Sequence, residues 1–149
     1  MLSGADVDSI KRLTSRKVHL LSGMCLLMVG TNDIIVGTPL NDFRAKLSAL
    51  VNMLSTKCEV MLVTIPDTLF SQEKNSVIKS FNQTIKSFGT KRTVTILDFN
   101  SELKNYNPAI VLEHYYSNGK VDGIHINKFA CSILGNMVEK HHSKRGEDK

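Results

Sequence analysis

The chain has 149 residues, 42% of them hydrophobic and 22% charged, with a net charge of +5. That is enough for one domain with a single sizeable core, and it excludes a chain disordered over most of its length. The basic excess is concentrated in "KRLTSRK" (Lys11 to Lys17) and in "EKHHSKRGEDK" (Glu139 to Lys149). It leaves room for an anionic partner without demanding one, since a solvated helix face and a frayed end also account for it.

Near the start, Val7, Ile10 and Leu13 recur at helical spacing after Asp6, a suitable N-cap. An apolar run, "MCLLMV" (Met24 to Val29), follows and stops abruptly at Gly30-Thr31-Asn32-Asp33. Phe43, Leu47, Leu50, Val51 and Leu54 keep a 3.6-residue period, with Asn41 and Asp42 ahead of them. The second apolar run is "EVMLVTI" (Glu59 to Ile65), ending at Pro66-Asp67. Val77, Ile78, Phe81, Ile85 and Phe88 form another helical stripe, closed by Gly89. "TVTILDF" (Thr93 to Phe99) is the third run, followed by an irregular stretch from Asn100 to Gly123 that predicts a loop with a short helix. Phe129, Ala130, Ile133, Leu134, Met137 and Val138 predict a last helix, capped by Asn127.

The three apolar runs are strand-length and apolar on both faces, which is the pattern of parallel strands covered by helices on each side. Their alternation with helical stripes predicts an α/β domain of three layers, α/β/α, with a parallel sheet and right-handed crossovers. The domain is expected over residues 1–142, followed by a charged tail at 143–149. Cys25, Cys58 and Cys131 are an odd number without metal-ligand spacing. Cys25 on a strand and Cys131 on an apolar helix read as small hydrophobes, so no disulfide framework is expected and a cytoplasmic, reducing compartment is the default. No stretch resembles a signal peptide, and Val18 to Val29 is too short to span a bilayer.

In open α/β sheets, sites form at the carboxyl ends of the strands. Three polar stations fit that place: Gly30 to Asp33, Ile65 to Asp67, and "VDGIHIN" (Val121 to Asn127) before the last helix. Asp122 can accept a hydrogen bond from one imidazole nitrogen of His125, fixing the tautomer and leaving the other nitrogen as a base. By itself the pair also reads as an Asp-Gly turn before a half-buried histidine. Asn32 offers uncharged N–H donors suited to a developing oxyanion, though a turn asparagine would look the same. Asp33 can orient the loop. A cation held by Asp33, Asp122 and His125 lacks an evident further ligand, so neither a metal nor a cofactor is expected.

Taken together, "VGTNDI" after a buried strand and "VDGIHIN" before a final helix resemble the SGNH (GDSL-type) hydrolase superfamily. The Gly-x-Asn-Asp block is matched by Gly30, Asn32 and Asp33, and the Asp-x-x-His block by Asp122 and His125. "SGADVDSIKRL" is similar to the block whose glycine joins the oxyanion hole, with Gly4 at that position. The resemblance covers nearly the whole chain. It implies a flavodoxin-like fold and hydrolysis of carboxylic esters, including lipid and acetyl-carbohydrate esters. In that scheme Asp122 and His125 are catalytic, Gly4 and Asn32 form the oxyanion hole, and Gly30 and Asp33 support the loop.

The departure lies in the superfamily's Gly-Asp-Ser block, which carries the nucleophilic serine on the first strand. No Gly-Asp-Ser occurs in these residues. The expectation is therefore an N-terminally truncated or inactive copy, lacking its first strand and nucleophile. The alternative is a non-catalytic binding module for RNA or a protein partner, for which Lys11, Arg12, Arg16, Lys17, Lys144 and Arg145 supply charge. A missing central strand also predicts a chain that is poorly stable alone or that self-associates to cover the gap.

Overall fold

The computed structural model describes residues 23–68, 72–112 and 126–147. Among them are three strands: β1 (Met24–Leu27), β2 (Glu59–Val63) and β3 (Val94–Leu97). All are parallel, in the order β1-β2-β3, with Cys25 opposite Val60 and Leu62 opposite Ile96. The six helices are α1 (Thr31–Val36), α2 (Leu40–Ser55), α3 (Gln72–Ser87), α4 (Phe99–Leu103), α5 (Pro108–Val111) and α6 (Lys128–Glu147). Each expected strand and long helix downstream of residue 23 forms. The expected first helix, from Val7 to Leu13, lies outside the described residues.

The sheet separates two apolar clusters, which makes the arrangement three-layered. On one face, the stripes of α2 and α3 pack on Leu27, Val60 and Leu62. Phe43 of α2 and Phe81 of α3 stack there with ring centroids 4.4 Å apart. On the other face, Met61, Val63 and Leu97 meet Phe99 and Leu103 of α4, Val111 of α5, and Ala130, Ile133 and Leu134 of α6. The period-two alternation of β2 is visible directly. Val60 and Leu62 serve the first cluster, while Met61 and Val63 serve the second.

Three local expectations are corrected. Gly30 to Asp33 is a glycine followed by a short helix, α1, not an open loop. Cys25 and Cys58 are joined in a disulfide, with Cα atoms 6.2 Å apart, within the usual bridging range. The parallel register explains it. Cys58 lies two residues before Val60, the partner of Cys25, so both side chains leave the same sheet face. Their 33-residue separation conceals that neighbourhood in the sequence. Disulfides persist in oxidising compartments, so the pairing weighs against the reducing default. Cys131 is exposed, because it falls outside the α6 stripe of Ala130, Ile133 and Leu134.

Asn127 caps α6 as expected, its Oδ1 accepting from the Ala130 N–H at 3.0 Å. The helix runs through Glu147. No helix among the described residues is long and apolar enough to cross a membrane.

Candidate functional site

Because the strands are parallel, their carboxyl ends share one edge of the sheet, and the three polar stations can be followed across it. At the end of β1, buried Val29 leads into Gly30, whose φ of 115° lies in the left-handed region. Close packing adds to the demand for glycine there. A Cβ on Gly30 would stand 2.5 Å from Ile65 Cδ1 and 3.3 Å from the Phe43 ring. The turn starts α1, with the Ile34 N–H donating to the Gly30 carbonyl at 2.9 Å. Gly30 thus brings the chain over the core and points the next residues across the strand ends.

Asn32 sits in the first turn of α1 and is half-buried. No hydrogen bond from its side-chain amide to another described residue is formed, so neither N–H donor is spent within the described fold. Asp33, by contrast, is fully buried, and its carboxylate accepts from the Thr38 hydroxyl at 3.1 Å. The Thr38 N–H also donates to the Asp33 carbonyl at 2.8 Å. Together these bonds close α1 onto the following turn. Adjacent residues of one motif therefore do different work: Asp33 holds the turn, and Asn32 is presented by it.

The end of β2 is fastened by side chains that the sequence reading did not single out. Asn82 of α3 is buried and clasps the backbone of Ile65 from both sides. Its Oδ1 accepts from the Ile65 N–H at 2.7 Å, and its Nδ2 donates to the Ile65 carbonyl at 2.8 Å. Since Ile65 fills the space against Gly30, Asn82 indirectly fixes the turn that carries Asn32. A signal for it was present: Asn82 lies on the apolar stripe of Ile78, Phe81 and Ile85, where a buried amide requires partners. Asn75 holds Thr68 in the same way, accepting from its N–H at 2.6 Å and donating to its carbonyl at 3.2 Å.

At the end of β3, Asp98 caps α4 and gathers several donors. Its carboxylate accepts from the Ser101 N–H at 3.3 Å, the Ser101 hydroxyl at 3.0 Å and the Thr64 hydroxyl at 3.1 Å. Lys86 Nζ lies 3.0 Å away. Partial burial pushes the carboxyl pKa up, but the bonds from Lys86, Ser101 and Thr64 outweigh it and hold the group below its ordinary value. Asn100 joins the two strand ends, donating its N–H to the Thr64 hydroxyl at 2.9 Å and accepting from the Asp67 N–H at 2.9 Å.

Gly4, Asp122 and His125 lie outside the described residues. Ile126 and Asn127, which follow His125 in sequence, are anchored to residues 110–112. Ile126 pairs with Leu112 in an antiparallel bridge, the Asn127 N–H donates to the Val111 carbonyl at 3.0 Å, and Asn127 Nδ2 donates to the Ile110 carbonyl at 2.8 Å. Of the apolar residues in the irregular stretch, Val111 is core, and Tyr106 packs edge-on against Phe129. Tyr115 and Tyr116 lie outside the described residues.

Several solved structures share this arrangement. One is a member of the lipolytic G-D-S-L family from Veillonella parvula, with a TM-score of 0.77 and 17% identity over 92% of this chain and 74% of that one. An acetylxylan esterase from Geobacillus stearothermophilus superposes with a TM-score of 0.70 and 15% identity, over 93% of this chain and 68% of that one. A carbohydrate esterase of family 3 from Talaromyces cellulolyticus gives a TM-score of 0.72 and 16% identity, over 99% of this chain and 70% of that one. At such identities the likeness speaks for the fold. No curated protein sequence matches the chain. The sequence model of the GDSL-like lipase/acylhydrolase family, however, matches residues 3–128, spanning all three polar stations. The chain belongs to the GDSL-like lipase/acylhydrolase family.

Proposed function

We propose that these residues form the oxyanion and general-base parts of a carboxylic-ester hydrolase site, acting on small-molecule or carbohydrate esters. The observation that carries the reading is Asn32, half-buried at the carboxyl edge of a parallel sheet, with an uncommitted amide on a turn fixed by Gly30 and Asp33. Family membership and the esterase neighbours support the same chemistry.

In this reading an ester carbonyl lies over the end of β1, with its oxygen toward Asn32 Nδ2 and the Gly4 N–H. Both donors strengthen their bonds as the carbonyl oxygen gains charge in the tetrahedral intermediate, which is the condition for lowering the barrier. His125 takes the proton from the attacking hydroxyl and returns it to the leaving alkoxide. Asp122 accepts from the other imidazole nitrogen and stabilises the imidazolium formed in between. None of the 149 residues is proposed as nucleophile, so a serine hydroxyl must be supplied to observe turnover.

The test joins a strand ending in Gly-Asp-Ser ahead of residue 1 and measures hydrolysis of a short-chain aryl ester. Turnover is expected to depend on that serine and on His125. Asn32→Ala is expected to lower kcat by about 100- to 1,000-fold with little change in KM. Serine-dependent turnover that survives both His125→Ala and Asn32→Ala would overturn the assignment.

A further inference from the structure

A second feature of the same sheet edge is a polar groove of about 300 Å³ across the ends of β2 and β3. One wall is a single stripe of α3, with Asn75, Lys79, Asn82 and Lys86 at positions i, i+4, i+7 and i+11. The opposite wall is Asp67 and the start of α4, including Asn100 and Lys104. A volume of this order lies at the lower end of small-ligand sites.

Accounting for the polar groups shows what the groove still lacks. Its acceptors are largely engaged. Asp98 is bonded to Thr64, Ser101 and Lys86, and Asn75 and Asn82 are spent on the backbones of Thr68 and Ile65. The remaining groups are mostly donors. Lys79 forms no ion pair with any described residue. Asn100 uses its Oδ1 on the Asp67 N–H and keeps its Nδ2 free of described partners. Lys104 reaches Asp67 only at 3.9 Å, with 63% of its side chain exposed, a pairing of little strength. Two ammonium groups and an amide thus line a groove in which Lys79, Lys86 and Lys104 outnumber the carboxylates of Asp67 and Asp98, and Asp98 is already paired with Lys86.

We propose that this groove binds the anionic oxygens of a small polar ligand, a carboxylate or phosphate group. Lys79 and Lys104 supply charge-assisted hydrogen bonds, and the Asn100 amide orients the group. The groove and Asn32 share one edge of the parallel sheet. An ester substrate lying along that edge would carry its acid group over α3 and α4. Placing the anion on an ester substrate rests on the hydrolase reading, whereas binding in the groove does not.

The experiment follows backbone amide shifts of the 149-residue protein on addition of D-glucuronate, inorganic phosphate or D-glucose, at low and at high salt. At least one of the two anions is expected to bind saturably, shifting α3 and the start of α4, with affinity falling as salt rises. Stronger binding of glucuronate assigns a carboxylate, and stronger binding of phosphate assigns a phosphate. The double variant Lys79→Ala/Lys104→Ala, checked for an unchanged melt, should bind about tenfold more weakly, and Lys79→Arg/Lys104→Arg should retain binding. Absence of saturable shifts, equal binding of glucose, or wild-type affinity in the double alanine variant each overturns the proposal. No turnover is involved, so anion binding alongside an inert serine-restored chain would remove the hydrolase reading and leave the groove. Turnover without anion binding would do the reverse.

Discussion

The ends of β1 and β3 pose the same local problem and solve it oppositely. In each, a strand leads within a few residues into a short helix at the carboxyl edge of the sheet. At β3 the N-cap is Asp98, whose carboxylate satisfies the first turn of α4 and ties it to Thr64 and Lys86. At β1 the N-cap is Gly30, with no side chain to cap α1 and no space for one. The first solution commits its polar groups to the fold. The second relies on backbone geometry and close packing, and it leaves Asn32 uncommitted. On the proposed reading Asn32 faces a reacting oxygen, and such a residue needs a turn held by something other than its own hydrogen bonds.

The largest expected effect comes from placing a methyl group on the β1 turn. Gly30→Ala adds a Cβ beside Ile65 and Phe43 at a φ of 115°. The Ile65 side chain is buried in the core, so its Cδ1 can turn aside only by disturbing its neighbours. Overpacking and backbone strain together predict a loss of about 2–4 kcal/mol in chemical denaturation. Gly37→Ala provides the control: its φ of 81° is also left-handed, but nothing lies within 4 Å of the new Cβ. Strain alone should cost it about 1 kcal/mol. Equal losses for the two variants would show that close approach does not fix the β1 turn.

An intermediate effect is expected at β3. Asp98→Ala removes a helix cap and the partner of Lys86, while the Thr64 hydroxyl keeps its bond from the Asn100 N–H. The loss should be about 1–2 kcal/mol, read from the same denaturation curves. Asp98→Asn keeps Oδ1 as an acceptor for the Ser101 N–H and the Thr64 hydroxyl, turns the Oδ2 acceptor of the Ser101 hydroxyl into a donor, and removes the charge that faces Lys86. Because the Lys86 and Asp98 side chains are 50% and 36% exposed, that part should be below about 1 kcal/mol. If the asparagine variant loses as much as the alanine variant, the ion pair rather than the cap holds this end.

These two turns also show what can be read from sequence and what cannot. Helical stripes such as Phe43, Leu47, Leu50, Val51 and Leu54 fix which faces are buried, because one period places all five against the sheet. Parallel pairing follows from strands apolar on both faces. The Gly30-x-Asn32-Asp33 spacing marks the β1 turn, but Gly30 depends on Ile65 and Phe43, contacts made only when β1, β2 and α2 assemble. Asn82 is a short-range clue with a long-range partner, 17 residues away. The Cys25–Cys58 bridge depends wholly on strand register. Gly4, Asp122 and His125 are legible as motifs and lie outside the described residues.

The smallest effect separates the two ends by pH. The Asp98 carboxyl is held below its ordinary value of 3.8, with burial opposing and the Lys86, Ser101 and Thr64 bonds prevailing. A group whose pKa is depressed on folding adds stability that is present above the unfolded pKa and is lost as pH falls through the folded one. The contribution of Asp98 should therefore be complete at pH 7 and begin to fade below about pH 4. Denaturation midpoints of the wild type and Asp98→Asn, compared from pH 7 down to about pH 2.5, should converge in the acid range. The asparagine cannot gain a proton there, so its curve retains only the slope of the other carboxylates. A difference that stays constant through the acid range would mean that the charge on Asp98 contributes nothing. The β3 end would then, like the β1 end, be held by packing and uncharged contacts to its neighbours rather than by an ion pair.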